Sequence, residues 1–71
     1  MGNAGAAATA FQRALELNPR YSVAEFWLGE AQRRAGRRAE AIQAYEQYLE
    51  LAPDGNQAES ARQTLKTLKQ E

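Results

Sequence analysis

Arg33, Arg34, Arg37 and Arg38 gather four cations around Gly36, the densest cluster of chemically capable side chains in the sequence. The chemistry open to it is the recognition of carboxylates. Arg33 and Arg34 stand where a helix would end, and there the helix dipole favours positive charge by ~0.3–1 kcal/mol. Arg37 and Arg38 stand where the next helix would begin, which the dipole opposes, although Glu40 partly offsets them. A solvated turn is the first reading and a lip for an acidic partner the second. Nucleic acid comes last, because the run is short and nine basic residues meet nine acidic ones.

For catalysis there is no starting point. The chain has no His and no Cys, so disulfides are excluded and the usual zinc, haem and iron–sulfur ligand sets are missing. The few Ser and Thr fall in caps or on polar faces without a base. Asp54 reads as a turn residue, and the glutamates pair readily with nearby Lys or Arg, so a glycosidase-like dyad has no support. The expectation is a non-enzyme with no cofactor and no metal. No apolar run approaches the ~20 residues of a membrane span, and no basic-then-apolar signal peptide is present. Nucleic acid and membrane insertion are therefore not expected; the compartment is open, with the cytoplasm slightly favoured. The opening Met1-Gly2-Asn3-Ala4-Gly5 reads as a junction cut from a longer protein.

These residues are positioned by a repeat. Pro19 and Pro53 are the only prolines and stand 34 residues apart. Displacing the chain by that interval lays Gly2 on Gly36, Ala7 on Ala41, Ala10 on Ala44 and Phe11 on Tyr45. It also lays Leu15-Glu16-Leu17 on Leu49-Glu50-Leu51, and Ala24-Glu25 on Ala58-Glu59. Local signals predict four helices and no strand. The first runs from about Ala4 to Asn18 with Ala7, Phe11, Ala14, Leu15 and Asn18 along one side, and stops before Pro19. Ser22 with Glu25 predicts a capping box opening the second, which continues to Ala35 and turns at Gly36. The third spans about Arg37 to Leu51, with Ala41, Ile42, Tyr45, Tyr48 and Leu49 at helical spacing. Pro53-Asp54-Gly55 breaks it, and Asn56 with Glu59 predicts a second capping box opening a fourth helix to about Gln70.

A helix–turn–helix unit of 34 residues resembles the tetratricopeptide repeat, whose pattern is W-x2-L-G-x2-Y, then A-x3-F, then P. Leu28-Gly29, Ala41 with Tyr45, and Pro53 match it in the central unit; Ala7 with Phe11, and Pro19, match its second half upstream. Glu25 stands where the pattern has Trp and Gln32 where it has Tyr, while Trp27 lies two residues further on. In the tail, Arg62-Gln63 replaces Leu-Gly and Lys66 replaces Tyr. The expected architecture is all-α: antiparallel helix-turn-helix repeats forming a right-handed superhelical stack of about four helices. Residues 2–19 make a half repeat, 20–53 a full repeat and 54–71 a polar capping helix.

The resemblance implies a protein or peptide partner held in the concave groove lined by the first helix of each unit. Here that lining is Val23, Phe26, Trp27, Glu30, Arg33 and Arg34, and the arginines favour an acidic partner. Exposed aromatics beside arginines have the composition of binding hot spots. The alternative is that Phe26 and Trp27 pack against the preceding helix, meeting Phe11 and Leu15. The cationic clamp with which some members of this family grip a chaperone's terminal carboxylate has no match at Val23, Phe26, Trp27 and Glu30, nor at Gln57, Ser60, Ala61 and Thr64. A chain of 71 residues sits near the size where one core barely offsets chain entropy. The second expectation is therefore a homodimer, formed through Ala7, Phe11 and Leu15 of the first helix or by exchange of helices about Gly36 or Pro53–Gly55.

Overall fold

The computed structural model describes residues 3–70. Met1, Gly2 and Glu71 lie outside the described residues, and with them the matching of Gly2 to Gly36 and the reading of Met1-Gly2 as a junction. Four helices follow in order: α1 (Ala4–Leu17), α2 (Ser22–Arg34), α3 (Arg38–Leu51) and α4 (Ala58–Gln70), with no strand among the described residues. Each packs on its neighbour in sequence, α1 on α2, α2 on α3 and α3 on α4. Short connections make such neighbours antiparallel.

The turn between α2 and α3 shows how the sequence closes a helix. Gly36 adopts φ +80°, a left-handed conformation that costs a residue without Cβ little. The Arg37 N–H then donates to Gln32 O at 2.8 Å and the Gly36 N–H to Arg33 O at 3.1 Å, the paired bonds of a Schellman motif. The Arg37 guanidinium also donates to Gln32 Oε1 at 3.2 Å, which satisfies a glutamine side chain that is otherwise buried.

Both predicted capping boxes are corrected. Ser22 is the first residue inside α2; Tyr21 takes the cap position without a side-chain cap bond, and its carbonyl accepts from Ala24 N–H at 3.1 Å. Likewise α4 begins at Ala58, two residues past Asn56. The loop before it is held from the helices on either side instead, α3 and α4. The Tyr48 hydroxyl accepts the Gln57 N–H at 3.0 Å, and Arg62 Nη2 donates to Pro53 O at 2.6 Å. A tertiary acceptor has taken over work expected of a local side chain.

The interior divides in two around α2. On one side Phe26, Ala41, Tyr45, Tyr48, Ala58, Ala61, Leu65 and Leu68 form a cluster joining α2, α3 and α4. On the other, Ala8, Leu28, Ala31 and Ala44 form a smaller cluster onto which Ala7, Phe11 and Leu15 pack. The outward side of α4 carries Glu59, Arg62, Gln63, Lys66 and Lys69, all exposed. Lys69 Nζ ties the helix to Glu46 of α3 at 2.7 Å.

Candidate functional site

Helix α2 determines the site, because its successive residues serve opposite sides. A helix advances about 100° per residue, so neighbours in sequence cannot share a face. Phe26 turns toward α3 and meets the rings of Tyr45 and Tyr48 edge-on, with centroids 5.8 and 5.5 Å away. It is only 4% exposed. This corrects the expectation that Phe26 lines a groove, and also the alternative that it meets Phe11 and Leu15. Its neighbours are the aromatic residues of α3, because Gly29 leaves room for the Tyr45 ring one turn along.

Trp27 turns the other way and remains 43% exposed, its ring T-shaped to that of Phe26 with centroids 5.1 Å apart. With Glu30 and Arg34 it forms one wall of an open cleft of about 520 Å³, whose opposite wall on α1 is Ala7 and Phe11 and whose floor is Ala31. Two residue sets that the sequence kept apart, one for a partner and one for self-association, thus share a single surface. Leu15 does not belong to it and packs against the smaller cluster that contains Leu28. Val23 is half exposed but lies outside the lining. Asn3, Ala4 and Ala31, absent from the sequence-based candidates, complete it. Ala31 was detectable, since it sits one helical turn after Trp27.

Glu30 fixes the electrostatics. Its Oε1 accepts from Arg33 Nη2 at 2.9 Å and its Oε2 from the Tyr45 hydroxyl at 2.9 Å. Partial burial works to raise this carboxyl's pKa, but the hydrogen bonds from Arg33 and Tyr45, with the charges of Arg33 and Arg34, outweigh it and bring the net value down. Burial pushes the Tyr45 phenol up to about 12; Arg33 acts against that shift and Glu30 adds to it. Arg33 is thereby engaged at its own helix. Arg34, one residue on, makes no hydrogen bond or ion pair among the described residues and reaches the cleft rim.

A second, more polar cleft of about 770 Å³ opens where Arg33, Gly36 and Arg38 face Gln63, Thr64 and Thr67 of α4. Its walls combine cations with hydroxyl and amide groups, and the one apolar side chain in its lining, Leu68, is itself buried. Among the described residues no group of three or more His, Cys, Asp or Glu could hold a metal ion. No helix among them is long and apolar enough to cross a membrane.

Residues 1–56 match a family model described as tetratricopeptide repeat. No curated protein matches the chain. No solved structure matches it either.

Proposed function

The chain belongs to the tetratricopeptide repeat family, whose units serve as protein-interaction modules, and we propose that it is a non-catalytic module binding a protein segment in the α1–α2 cleft. It would do so as part of a larger repeat scaffold. Residues 2–19 supply a half repeat, 20–53 a full repeat, and 54–71 a helix whose polar outer side closes the stack. The observation that carries this reading is the joining of Ala7 and Phe11 to Trp27, Glu30 and Arg34 around one open space.

Energetically the cleft suits a modest, specific contact. An indole presents roughly 150–250 Å² when fully exposed. The 43% of Trp27 still exposed therefore leaves roughly 100 Å² to bury, worth about 2.5 kcal/mol before the costs of association. Arg34 adds preference for an acidic residue more than affinity, since rim charges contribute little. The groove function assigned to Val23, Phe26 and Arg33 narrows accordingly: Phe26 supports the site from within, and Arg33 orients Glu30.

The test is selection from a displayed peptide library on the intact protein, followed by measurement of the selected binders against Trp27→Ala and Arg34→Ala. Trp27→Ala is expected to weaken them about 30-fold or more, the scale of a hot spot. Binders indifferent to both substitutions would place the interaction elsewhere. A homodimer is the second reading, favoured by the same half-buried Ala7 and Phe11. Light scattering over about a hundredfold range of concentration separates the two, because a dimer that persists on dilution leaves the cleft closed.

A further inference from the structure

The α2–α3 turn gathers four arginines, and packing sorts them into two pairs. Arg33 and Arg38 line the polar cleft beside Gln63, Thr64 and Thr67 of α4. Arg34 reaches the opposite cleft, between α1 and α2. Arg37 leans the same way, its Nη2 only 3.6 Å from where a Cβ on Gly5 of α1 would stand. Gly36 separates the pairs and presents no side chain, and the space around a Cβ built on it is empty to 4 Å. All of these arginines are exposed. Little negative charge answers them. Arg33 gives one N–H to Glu30 and keeps the rest of its guanidinium fork. Arg37 donates to the neutral amide of Gln32, and neither it nor Arg34 pairs with a carboxylate among the described residues. No acidic residue lines the polar cleft. Glu40, the other acid at this end, belongs to a different cleft with Gln12 and Gln43.

The remaining charges extend the asymmetry. Lys66 of α4 adds to this end of the stack, whereas the opposite end holds Glu16, Glu25, Glu50, Asp54 and Glu59. Arg13, Arg20 and Arg62 oppose those acids. Lys69 and Glu46 neutralise each other. A chain whose formal charges cancel is therefore cationic at the α2–α3 end and acidic at the other, a distribution that steers anionic partners to one edge. Each helix packs on its neighbour in sequence, so further repeats, added beyond α1 or α4, would leave this turn uncovered.

We infer that the α2–α3 edge is a docking surface separate from the α1–α2 cleft, and that it takes an acidic segment of a partner protein laid across Gly36, with carboxylates on both arginine pairs. Guanidinium forks match carboxylates in charge and in geometry. The Thr64 and Thr67 hydroxyls and the Gln63 amide supply further donors on the α4 side. Neither residues 33–40 nor the lining of the polar cleft include an aromatic residue, so the stacking platform used to hold single-stranded nucleic acid is missing. The uncharged residues of the turn, Ala35, Gly36 and Ala39, are too small to insert into a bilayer.

The probe is a fluorescein-labelled peptide of about ten residues alternating Glu with Ser, which when extended spans about 30 Å, close to the 29 Å breadth of the molecule. Its anisotropy should saturate with the intact protein at low salt, and the same peptide with Gln in place of Glu should not bind. Arg34→Gln and Arg38→Gln, one from each pair, should each weaken binding about threefold and together about tenfold. Both arginines are exposed, so the fold should tolerate either change, and circular dichroism verifies it. Arg13→Gln with Arg20→Gln removes the same charge from the opposite end and should leave binding unchanged. No saturable binding, single variants equal to the parent, or an equal loss from the Arg13 and Arg20 pair would overturn the inference. If Trp27→Ala costs more than Arg38→Gln, the peptide sits in the α1–α2 cleft and the inference fails while the cleft reading stands. Tighter binding of a thymidine oligonucleotide of matched charge, or of phosphatidylserine vesicles, would make nucleic acid or a membrane the occupant and overturn it. Low-salt self-association through the acidic end, seen by light scattering, would do the same for a second copy.

Discussion

Gly29→Ala probes the contact that separates the two sides of α2. An added Cβ would lie 3.0 Å from Cδ1 and Cε1 of Tyr45 and 3.1 Å from Cζ. The ring has little freedom to retreat. Tyr45 is wholly buried, its hydroxyl donates to Glu30 at 2.9 Å, and Glu30 is held in turn by Arg33. Alanine should gain about 1 kcal/mol from helix propensity, whereas overpacking against a pinned ring costs about 1–3 kcal/mol. The net expectation is a destabilisation of about 1 kcal/mol, or a Tm lower by roughly 4–8 °C for a domain of this size. Urea and thermal unfolding followed by far-ultraviolet circular dichroism would measure it. The same substitution in a Tyr45→Leu background isolates the cause: without the flat ring, the propensity gain should dominate and Gly29→Ala should become neutral or stabilising. Coupling between the two sites follows from their contact. A Gly29→Ala protein as stable as the parent, or an equal effect in both backgrounds, would refute the close-approach argument.

Two further outcomes follow from the same structure. Tyr48→Phe removes the acceptor of the Gln57 N–H and should cost about 1 kcal/mol by urea titration, while relieving in part Gly55→Ala, whose Cβ would otherwise collide with the Tyr48 hydroxyl and would still crowd Ala52. For acid stability, Glu30 has a folded pKa below its ordinary 4.5, so its contribution is present above that value and lost as pH falls through the folded one. Glu25, raised by burial, acts in the opposite sense, its contribution being lost as pH rises. Glu30→Gln should therefore flatten the fall in unfolding free energy between about pH 5 and pH 3; an unchanged slope would show that the bonds to Arg33 and Tyr45 do not govern it.

The helices, their order and their repeat were legible in the sequence because each signal is local. Pro19 and Pro53 forbid continuation, Gly36 supplies the left-handed turn, and the spacing of Ala41, Tyr45 and Tyr48 holds within one helix whatever lies opposite. The candidate site was legible in part: Trp27, Glu30, Arg34, Ala7 and Phe11 were each singled out, but as two sites rather than one. Their union depends on how far apart α1 and α2 settle, which is a property of packing between helices. Adjacent aromatics posed the same difficulty. Phe26 and Trp27 have similar hydrophobicity, and only the approach of Tyr45 across Gly29 decides that the first is buried and the second is left at the surface. The predicted capping boxes failed for a related reason, since the hydroxyl that holds the loop before α4 belongs to Tyr48, a residue of another helix. Sequence alone thus determined what could be settled within a turn or two of chain. Tertiary structure decided which side of each helix meets a neighbour, because that depends on shapes brought together from positions distant in sequence.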